Sequence, residues 1–190
     1  MDLDRYWSLK GYAPRTEQIA IINQIEHALN EGYTNIILEA GTGIGKSAIA
    51  TTIAKTFNDS YICTMTNQLQ SQYLHDFEYM LTEIKGRSNY YCNYGGYCDD
   101  CEMEKTDEKK CPNCEYLLAL HKALQSKTVI TNYDYLFYAG NYAQQLDTRD
   151  LLILDETHNF ENKMMSLISD GLSRTAIRFR RFSRCSRLTV

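Results

Sequence analysis

Nine residues, Glu39–Ser47 (EAGTGIGKS), constrain the fold more than any other stretch of this chain. They follow the short apolar run NIIL and lead into AIATTIAKTF, which has the composition of a helix. A glycine-rich turn between a strand and a helix is the context of a P-loop. Gly41, Gly43 and Gly45 let the backbone curl so that its N–H groups point at phosphate oxygens, and the helix adds its positive N-terminal end. The sequence therefore predicts a phosphate-binding α/β domain.

The loop fits the pattern A-x-x-x-x-G-K-S, with Ala40 in a place where glycine is commoner. Lys46 is expected to reach the β- and γ-phosphates of ATP, and Ser47 to ligate Mg²⁺. A glycine-rich turn without a ligand is the alternative, and so complete a match in this context argues against it. The candidate nucleotide-binding residues in the loop are Gly41, Thr42, Gly43, Gly45, Lys46 and Ser47.

A second motif, LLILDETH, begins at Leu151. Four apolar residues predict a buried strand and put Asp155 at its carboxyl end, where ligands bind in open α/β sheets. Asp155 is expected to hold Mg²⁺ through water, and Glu156 to orient and deprotonate the attacking water. The alternative is a strand that ends in two solvated acids. Together with Lys46, these two carboxylates are candidate catalytic residues.

Predicted strands and helices alternate along the chain. Helical spacing of apolar residues predicts helices over 16–32, 67–84 and 115–125, and apolar or β-rich runs predict strands at NIILEA, YICTMT, KTVITNY and LLILDE. Such alternation is typical of a parallel sheet with helices on both faces. The fold class is therefore α/β.

A cysteine-rich insert interrupts this alternation without contributing a strand. It holds five of the seven cysteines in a polar, acidic segment that offers them no core to pack in, which favours a metal site. Two C-x-x-C pairs suit tetrahedral zinc, and four thiolates equally suit a [4Fe–4S] cluster. Spacing leaves both metals open, because both prefer soft ligands. The five candidates are Cys92, Cys98, Cys101, Cys111 and Cys114.

The composition limits the cellular location and the binding partners that we expect for this protein. No run approaches the about 20 apolar residues that a membrane span needs, and the N-terminus lacks the features of a signal peptide. We therefore expect an intracellular protein, cytoplasmic or, in a eukaryote, nuclear, with no membrane partner. The net charge is −4, yet residues 174–190 hold six arginines and no acid. That basic tail is expected to be either a nucleic-acid arm or a truncated, atypical terminus.

The order of motifs resembles the XPD/DinG family of iron–sulphur DNA helicases in superfamily 2. The resemblance runs from about Tyr12 to Arg174 and rests on YAPRTEQ, EAGTGIGKS, TMTNQLQSQ, GRSNYYC, CEYLLALHKAL, TNYDYL and LLILDETHN. It implies a RecA-like motor domain that couples ATP hydrolysis to movement on single-stranded DNA and to unwinding of forked DNA once a second motor domain is present. It also makes His158, the last residue of D-E-x-H, a fourth catalytic candidate.

The resemblance assigns further roles. Arg15 and Gln18 match the motif that contacts adenine, while Thr64, Thr66 and Gln70 fall in the segment that touches the single strand's backbone. The implied domain limits are 1–85 with 126–173 for the motor domain, 86–125 for the insert and 174–190 for the tail.

For the metal, the resemblance implies a [4Fe–4S] cluster. Cys92 would be its first ligand and Cys114 its last, with Cys98 and Cys101 between them and Cys111 as a fifth candidate. The insert would act as a wedge where the duplex parts. Four tyrosines are candidates for stacking on bases, with shielding of the cluster as the alternative: Tyr90, Tyr91, Tyr94 and Tyr97.

Two other functions stay open. One is a zinc-binding P-loop ATPase with an adaptor or regulatory role, and the other is an inactive truncated product. The family's second motor domain, which supplies an arginine finger, cannot fit after Asn159. Since such a finger is worth about 10³–10⁵ in rate, we expect this chain alone to bind ATP and to hydrolyse it weakly or not at all.

Overall fold

The computed structural model describes residues 9, 11, 13–101, 111, 113–141, 143–169 and 185–189. They fall into two compact units. The first combines Met1–Phe57 with Arg174–Val190, and the second is Asn58–Ser173.

The first unit carries the P-loop between a strand and a helix. Helix α1 (Thr16–Asn30) precedes strand β1 (Asn35–Glu39), and helix α2 (Lys46–Thr56) follows the loop. Strand β6 (Cys185–Thr189), inside the basic tail, pairs in parallel with β1. The rest of the tail lies outside the described residues. Helix α1 buries its isoleucine face as predicted, and Gly32, in the left-handed region, ends it.

The second unit is a four-stranded parallel sheet in the order β3-β4-β2-β5. Its two central strands, β2 and β4, are buried at every position, as apolar strands of a covered parallel sheet must be. The predicted α/β class with a parallel sheet is confirmed. The elements in chain order are β2 (Ser60–Thr64), α3 (Asn67–Phe77), β3 (Thr82–Glu83), α4 (Glu115–Gln125), β4 (Thr128–Asn132), α5 (Tyr133–Asn141), β5 (Leu151–Leu154) and α6 (Phe160–Ser169).

The helix predicted over 67–84 is too long. It ends at Phe77, and Thr82–Glu83 form the short strand β3 against β4. The N–H of Ile84 then donates to the carbonyl of Ile130, at 3.1 Å. Leu81 and Ile84 are buried, as the helical spacing required, but they lie on either side of β3 and not in a helix.

Two further expectations about strands are wrong. Strands β1 and β5 are not fully buried, since Ile37 and Leu152 are each 50% exposed, and β5 is the edge strand of its sheet. The strand predicted at KTVITNY ends one residue early, at Asn132, because the chain turns into α5 at Tyr133. Asn132 fixes that turn by accepting a hydrogen bond from the N–H of Tyr135, at 2.8 Å.

The apolar core of the second unit extends into the cysteine-rich insert. Cys92 and Cys98 are each 2% exposed and Cys101 is 6% exposed, and all three belong to one cluster with Tyr116 and Val129. The expectation that the insert offers its cysteines no core is therefore wrong. The reason is that α4, the helix that ends the insert, packs its buried face against the cysteines in this cluster.

Candidate nucleotide site and cysteine cluster

The P-loop needs glycine at two of its positions. Gly43 and Gly45 have φ of +83° and +85°, where a side chain is strained. A Cβ on Gly45 would also lie 2.5 Å from Nε2 of Gln18, whereas one on Gly43 would meet nothing within 4 Å. Gly45 is thus fixed by both backbone conformation and close approach.

Two side chains hold this loop in place, one from the residue before α1 and one from the first turn of α1. The guanidinium of Arg15 donates to the carbonyl of Gly43 at 2.7 Å, and Nε2 of Gln18 donates to the carbonyl of Ile44 at 2.9 Å. Oε1 of Gln18 in turn accepts from the N–H of Arg15 at 2.9 Å. The structure therefore brings Arg15 and Gln18 onto the phosphate loop, although their contact with adenine stays a prediction.

Lys46 and Ser47 stand in the first turn of α2, where the sequence placed them. Nζ of Lys46 donates to the carbonyl of Ala40 at 3.1 Å, which holds the ammonium over the loop. Both side chains are half-buried, while Gly41 and Thr42 are exposed. The loop thus presents backbone N–H groups, one ammonium and one hydroxyl from the same turn, which suits a polyphosphate with Mg²⁺.

In the second unit, Asp155 follows β5 and extends its pairing with β2 through an N–H donated to the carbonyl of Cys63, at 2.9 Å. Its carboxylate is held at both oxygens. Oδ2 accepts from the hydroxyl of Tyr73 at 2.9 Å, and Oδ1 accepts from the N–H of Glu156 at 3.0 Å. The hydroxyl of Tyr133 donates to the backbone carbonyl of Asp155 at 2.8 Å. Nothing in the motif pointed to either tyrosine.

Glu156 has an unusual backbone. Its φ of +57° lies in the left-handed region, which costs a non-glycine residue about 1–3 kcal/mol and is commonest at functional sites. Nδ1 of His158 lies 3.2 Å from Oε2 of Glu156, and the amide of Asn159 lies 2.7 Å from Nε2 of the same ring. The ring thus lies between a carboxylate and an amide, and the tautomer that carries its proton on Nδ1 donates to Glu156.

Two of the three residues expected to touch a single strand are buried. Thr64 and Gln70 are 0% exposed, and Nε2 of Gln70 donates to the carbonyls of Ile84 and Ile130. Thr66 is exposed and caps α3 by accepting from the N–H of Leu69 at 3.3 Å. Of the three expected residues, Thr66 alone offers its side chain to a ligand.

The five cysteines of the insert converge. A tight hairpin, closed by hydrogen bonds from Cys92 N–H to Gly96 and from Cys98 N–H to Tyr90, brings the first two thiols together. The Sγ atoms of Cys92 and Cys101 are 3.7 Å apart, those of Cys92 and Cys111 4.0 Å, and those of Cys98 and Cys114 3.8 Å. Cys92, Cys101 and Cys111 lie within 4.8 Å of one another. The five thiols thus form a group of three, Cys92, Cys101 and Cys111, and a close pair, Cys98 and Cys114.

Soft thiol donors fit both of the metals that the sequence left open. A zinc ion with Zn–S bonds of about 2.3 Å in a regular tetrahedron holds its thiolates about 3.8 Å apart, which matches the three short contacts. A four-iron cluster places a cage of iron and sulphide between its thiolates, so these side chains would have to turn outward to hold it. Burial, together with the thiols of Cys114 and Cys92, raises the pKa of Cys98 to about 11, so a cation is what would favour its thiolate form.

The tyrosines of the insert divide into two kinds. Tyr90 packs edge-on against Tyr116, with ring centroids 5.8 Å apart, and its hydroxyl accepts from the N–H of Lys85 at 3.1 Å. Burial raises the pKa of Tyr90 to about 12. In contrast, three tyrosines are more than half exposed, and two of their rings touch edge-on. The exposed tyrosines are Tyr91, Tyr94 and Tyr97.

A family model described as "Type III restriction enzyme, res subunit" matches residues 11–180. The chain belongs to this family. Two solved structures share its fold. One, an XPD helicase, matches with a TM-score of 0.58 and 17% sequence identity over 78% of this chain and 33% of that chain. The other, a truncated XPD, matches with a TM-score of 0.52 and 15% sequence identity over 75% of this chain and 53% of that chain. No curated protein matches the chain.

These findings confirm the predicted resemblance to XPD-type superfamily 2 helicases and the RecA-like fold. The chain spans a third of one matched structure and about half of the other. Within the described ranges, no helix combines the length and the apolar character that crossing a membrane requires. The candidate catalytic residues are divided between the units, with Lys46 in the first and Asp155, Glu156 and His158 in the second.

Proposed function

We propose that this chain is the N-terminal ATP-binding motor domain of an ATP-dependent DNA helicase, with a metal centre in its cysteine-rich insert. The observation that carries the proposal is the P-loop held from outside by Arg15 and Gln18. These two bonds fix the loop through its carbonyls and use none of its N–H groups, which a phosphate would need. Membership of a helicase-like family supports the same reading.

For nucleotide binding, the proposal assigns the phosphates to the loop backbone and to Lys46, and the base to Arg15 and Gln18. Ser47 and Asp155 would hold Mg²⁺, which when bound neutralises phosphate charge. Glu156 would accept the proton of the attacking water. The Nδ1–H of His158 would orient that carboxylate, as their 3.2 Å separation allows.

For DNA, the proposal is that single-stranded or forked DNA meets the exposed tyrosines of the insert and Thr66. Base stacking on an aromatic ring is worth about 1–3 kcal/mol and does not depend on sequence. The insert is rich in acids, and Asp99 and Asp100 follow the hairpin directly. Stacking on bases therefore suits this surface better than contact with phosphates does. Tyr90 is excluded from the proposed surface, because it is tied into the core.

For the metal, we infer a [4Fe–4S] cluster held by Cys92, Cys98, Cys101 and Cys114, with Cys111 as a fifth candidate, because the family resemblance implies it. A second candidate is zinc, favoured by sulphur contacts of 3.7–4.0 Å. In either case the bound metal would tie the hairpin to the N-terminus of α4. Both candidates share the thiolate donors, and metal analysis of cysteine variants separates them.

Nucleotide binding is tested with the substitution Lys46→Ala. Because Nζ of Lys46 supplies the loop's positive charge, we expect a fluorescent ATP analogue with Mg²⁺ to bind roughly tenfold or more weakly. Lys55→Ala, on the same helix but in its last turn, is the matched control and should bind as the parent does. Glu156→Gln should keep binding and lose any ATP turnover, since an amide cannot accept the proton.

Equal binding by the parent and Lys46→Ala would refute the phosphate site. Turnover that survives in Glu156→Gln would refute the role of Glu156 as base and leave the binding site standing.

A further inference from the structure

A buried tyrosine outside every motif touches the carboxylate proposed to hold Mg²⁺. Tyr73 lies in the second turn of α3 and is 3% exposed. Its hydroxyl donates to Oδ2 of Asp155 at 2.9 Å, across 82 residues of sequence. A buried tyrosine needs a partner for its O–H, and here that partner is a carboxylate at the carboxyl end of β5.

Helix α3 is fixed firmly enough to aim this hydroxyl. One turn before Tyr73, the buried amide of Gln70 donates to two backbone carbonyls, at 3.1 and 3.2 Å. One turn after it, the ring of Phe77 packs edge-on against Tyr73, with centroids 6.3 Å apart. The donor is thus held from both sides along the helix, which is what orientation of a metal-binding group requires.

Its hydrogen bonds to Tyr73 and Glu156 leave the Asp155 carboxylate with acceptor capacity for a metal-bound water. Oδ1 accepts one hydrogen bond, from the N–H of Glu156, and Oδ2 accepts one, from Tyr73. An ionised carboxylate offers about four lone-pair sites, so each oxygen keeps acceptor capacity. The two hydrogen bonds together fix the plane of the carboxylate, because the backbone donor alone would let Oδ2 rotate.

We propose that Tyr73 is a positioning residue, whose hydroxyl orients the Asp155 carboxylate for Mg²⁺ in the nucleotide site. The inference rests on the proposed function, since it needs Asp155 to serve Mg²⁺. It goes beyond that function by adding a residue that lies in no nucleotide-binding motif. The side chain acts through Asp155 and touches neither ATP nor Mg²⁺ itself.

The test is the Mg²⁺ dependence of nucleotide binding by Tyr73→Phe in the full chain. Loss of an outer-shell hydrogen bond typically costs about tenfold or more in metal affinity. We therefore expect the Mg²⁺ concentration that half-saturates binding of a fluorescent ATP analogue to rise about tenfold, with little change in binding at saturating Mg²⁺. Tyr135→Phe is the control, because Tyr135 is 4% exposed and also loses a buried hydroxyl contact, to Tyr116. It should leave the Mg²⁺ dependence as in the parent.

A second measurement asks whether Tyr73 acts through Asp155. In an Asp155→Asn background, Tyr73→Phe should produce no further shift in Mg²⁺ dependence, because the group it positions is already lost. An additional shift there would overturn the positioning role. The positioning role would also be overturned if Tyr73→Phe kept the parent's Mg²⁺ dependence. If Lys46→Ala abolished binding in the same experiment, the proposed nucleotide site would still stand. A parent that binds the analogue without needing Mg²⁺ would overturn the proposal together with the Mg²⁺ role of Asp155.

Discussion

Substituting alanine for each P-loop glycine in turn tests the loop geometry, because the three variants should be destabilised to different extents. Gly43→Ala and Gly45→Ala both place a Cβ at positive φ, which costs about 1–2 kcal/mol. At Gly45 the new Cβ would also lie 2.5 Å from Nε2 of Gln18. That amide is the end of a flexible side chain, so it can move, but it must give up its bond to the carbonyl of Ile44. A lost hydrogen bond adds about 0.5–1.5 kcal/mol. Gly45→Ala should therefore destabilise the fold by about 1.5–3.5 kcal/mol.

The measurement is the free energy of unfolding in urea for the three single variants. Gly41→Ala is the control, because Gly41 is not at positive φ and its Cβ would meet only Ile44 Cδ1 at an ordinary 3.9 Å. The expected order of destabilisation is Gly45→Ala, then Gly43→Ala, then Gly41→Ala. In a Gln18→Ala background, Gly45→Ala and Gly43→Ala should lower the free energy of unfolding by the same amount. A gap that persists without Gln18 would show that the amide clash is not its source.

The remaining predictions concern the insert. Cys92→Ser should lower metal content per chain in protein prepared without oxygen, because Cys92 lies within 4.0 Å of two other thiols. Iron and sulphide in the parent would support the cluster, and zinc alone would support the second candidate. Loss of metal in Cys111→Ser with full metal in Cys92→Ser would contradict the cluster's ligand set. Tyr97→Ala should weaken binding of single-stranded DNA about tenfold, whereas Tyr79→Ala, an equally exposed tyrosine outside the insert, should not. Equal losses in both would argue against a stacking surface.

The local features of the nucleotide site could be predicted because they follow from short-range rules. A strand, three glycines and a helix within a few residues specify a phosphate loop, and the structure has Lys46 and Ser47 in the first turn of α2. The contacts of Gln18 and Tyr73 could not be predicted in this way. They join residues 26 and 82 positions apart, and such pairings depend on tertiary packing that no local pattern encodes.

The errors in secondary structure have a common physical origin. Leu81 and Ile84 continue the helical spacing of α3, yet they lie on either side of the two-residue strand β3 and are buried there. A strand that short has no period of its own, so the apolar residues beside it are indistinguishable from a further helical turn. At Asn132 the error is the reverse: the β-rich composition predicted that the strand continues, whereas the Asn132 side chain caps helix α5, which begins at the next residue.

The burial of the cysteines changes what loss of the metal should do to the fold. Composition suggested an insert that is independent of the sheet, since its residues are polar and acidic. Instead, Cys92, Cys98 and Cys101 share one apolar cluster with Tyr116 of α4 and Val129 of β4. Replacing a buried ligand leaves the other thiols without a cation inside that cluster, and metal binding is coupled to folding wherever the site is part of the core. The disturbance should therefore reach β4, at the centre of the sheet that also carries Asp155. The direct measure is the rate of amide hydrogen exchange in β4, compared between Cys92→Ser and the parent. Faster exchange in the variant would show that the insert and the sheet unfold as one cooperative unit, and an unchanged rate would show that the insert is independent of the sheet.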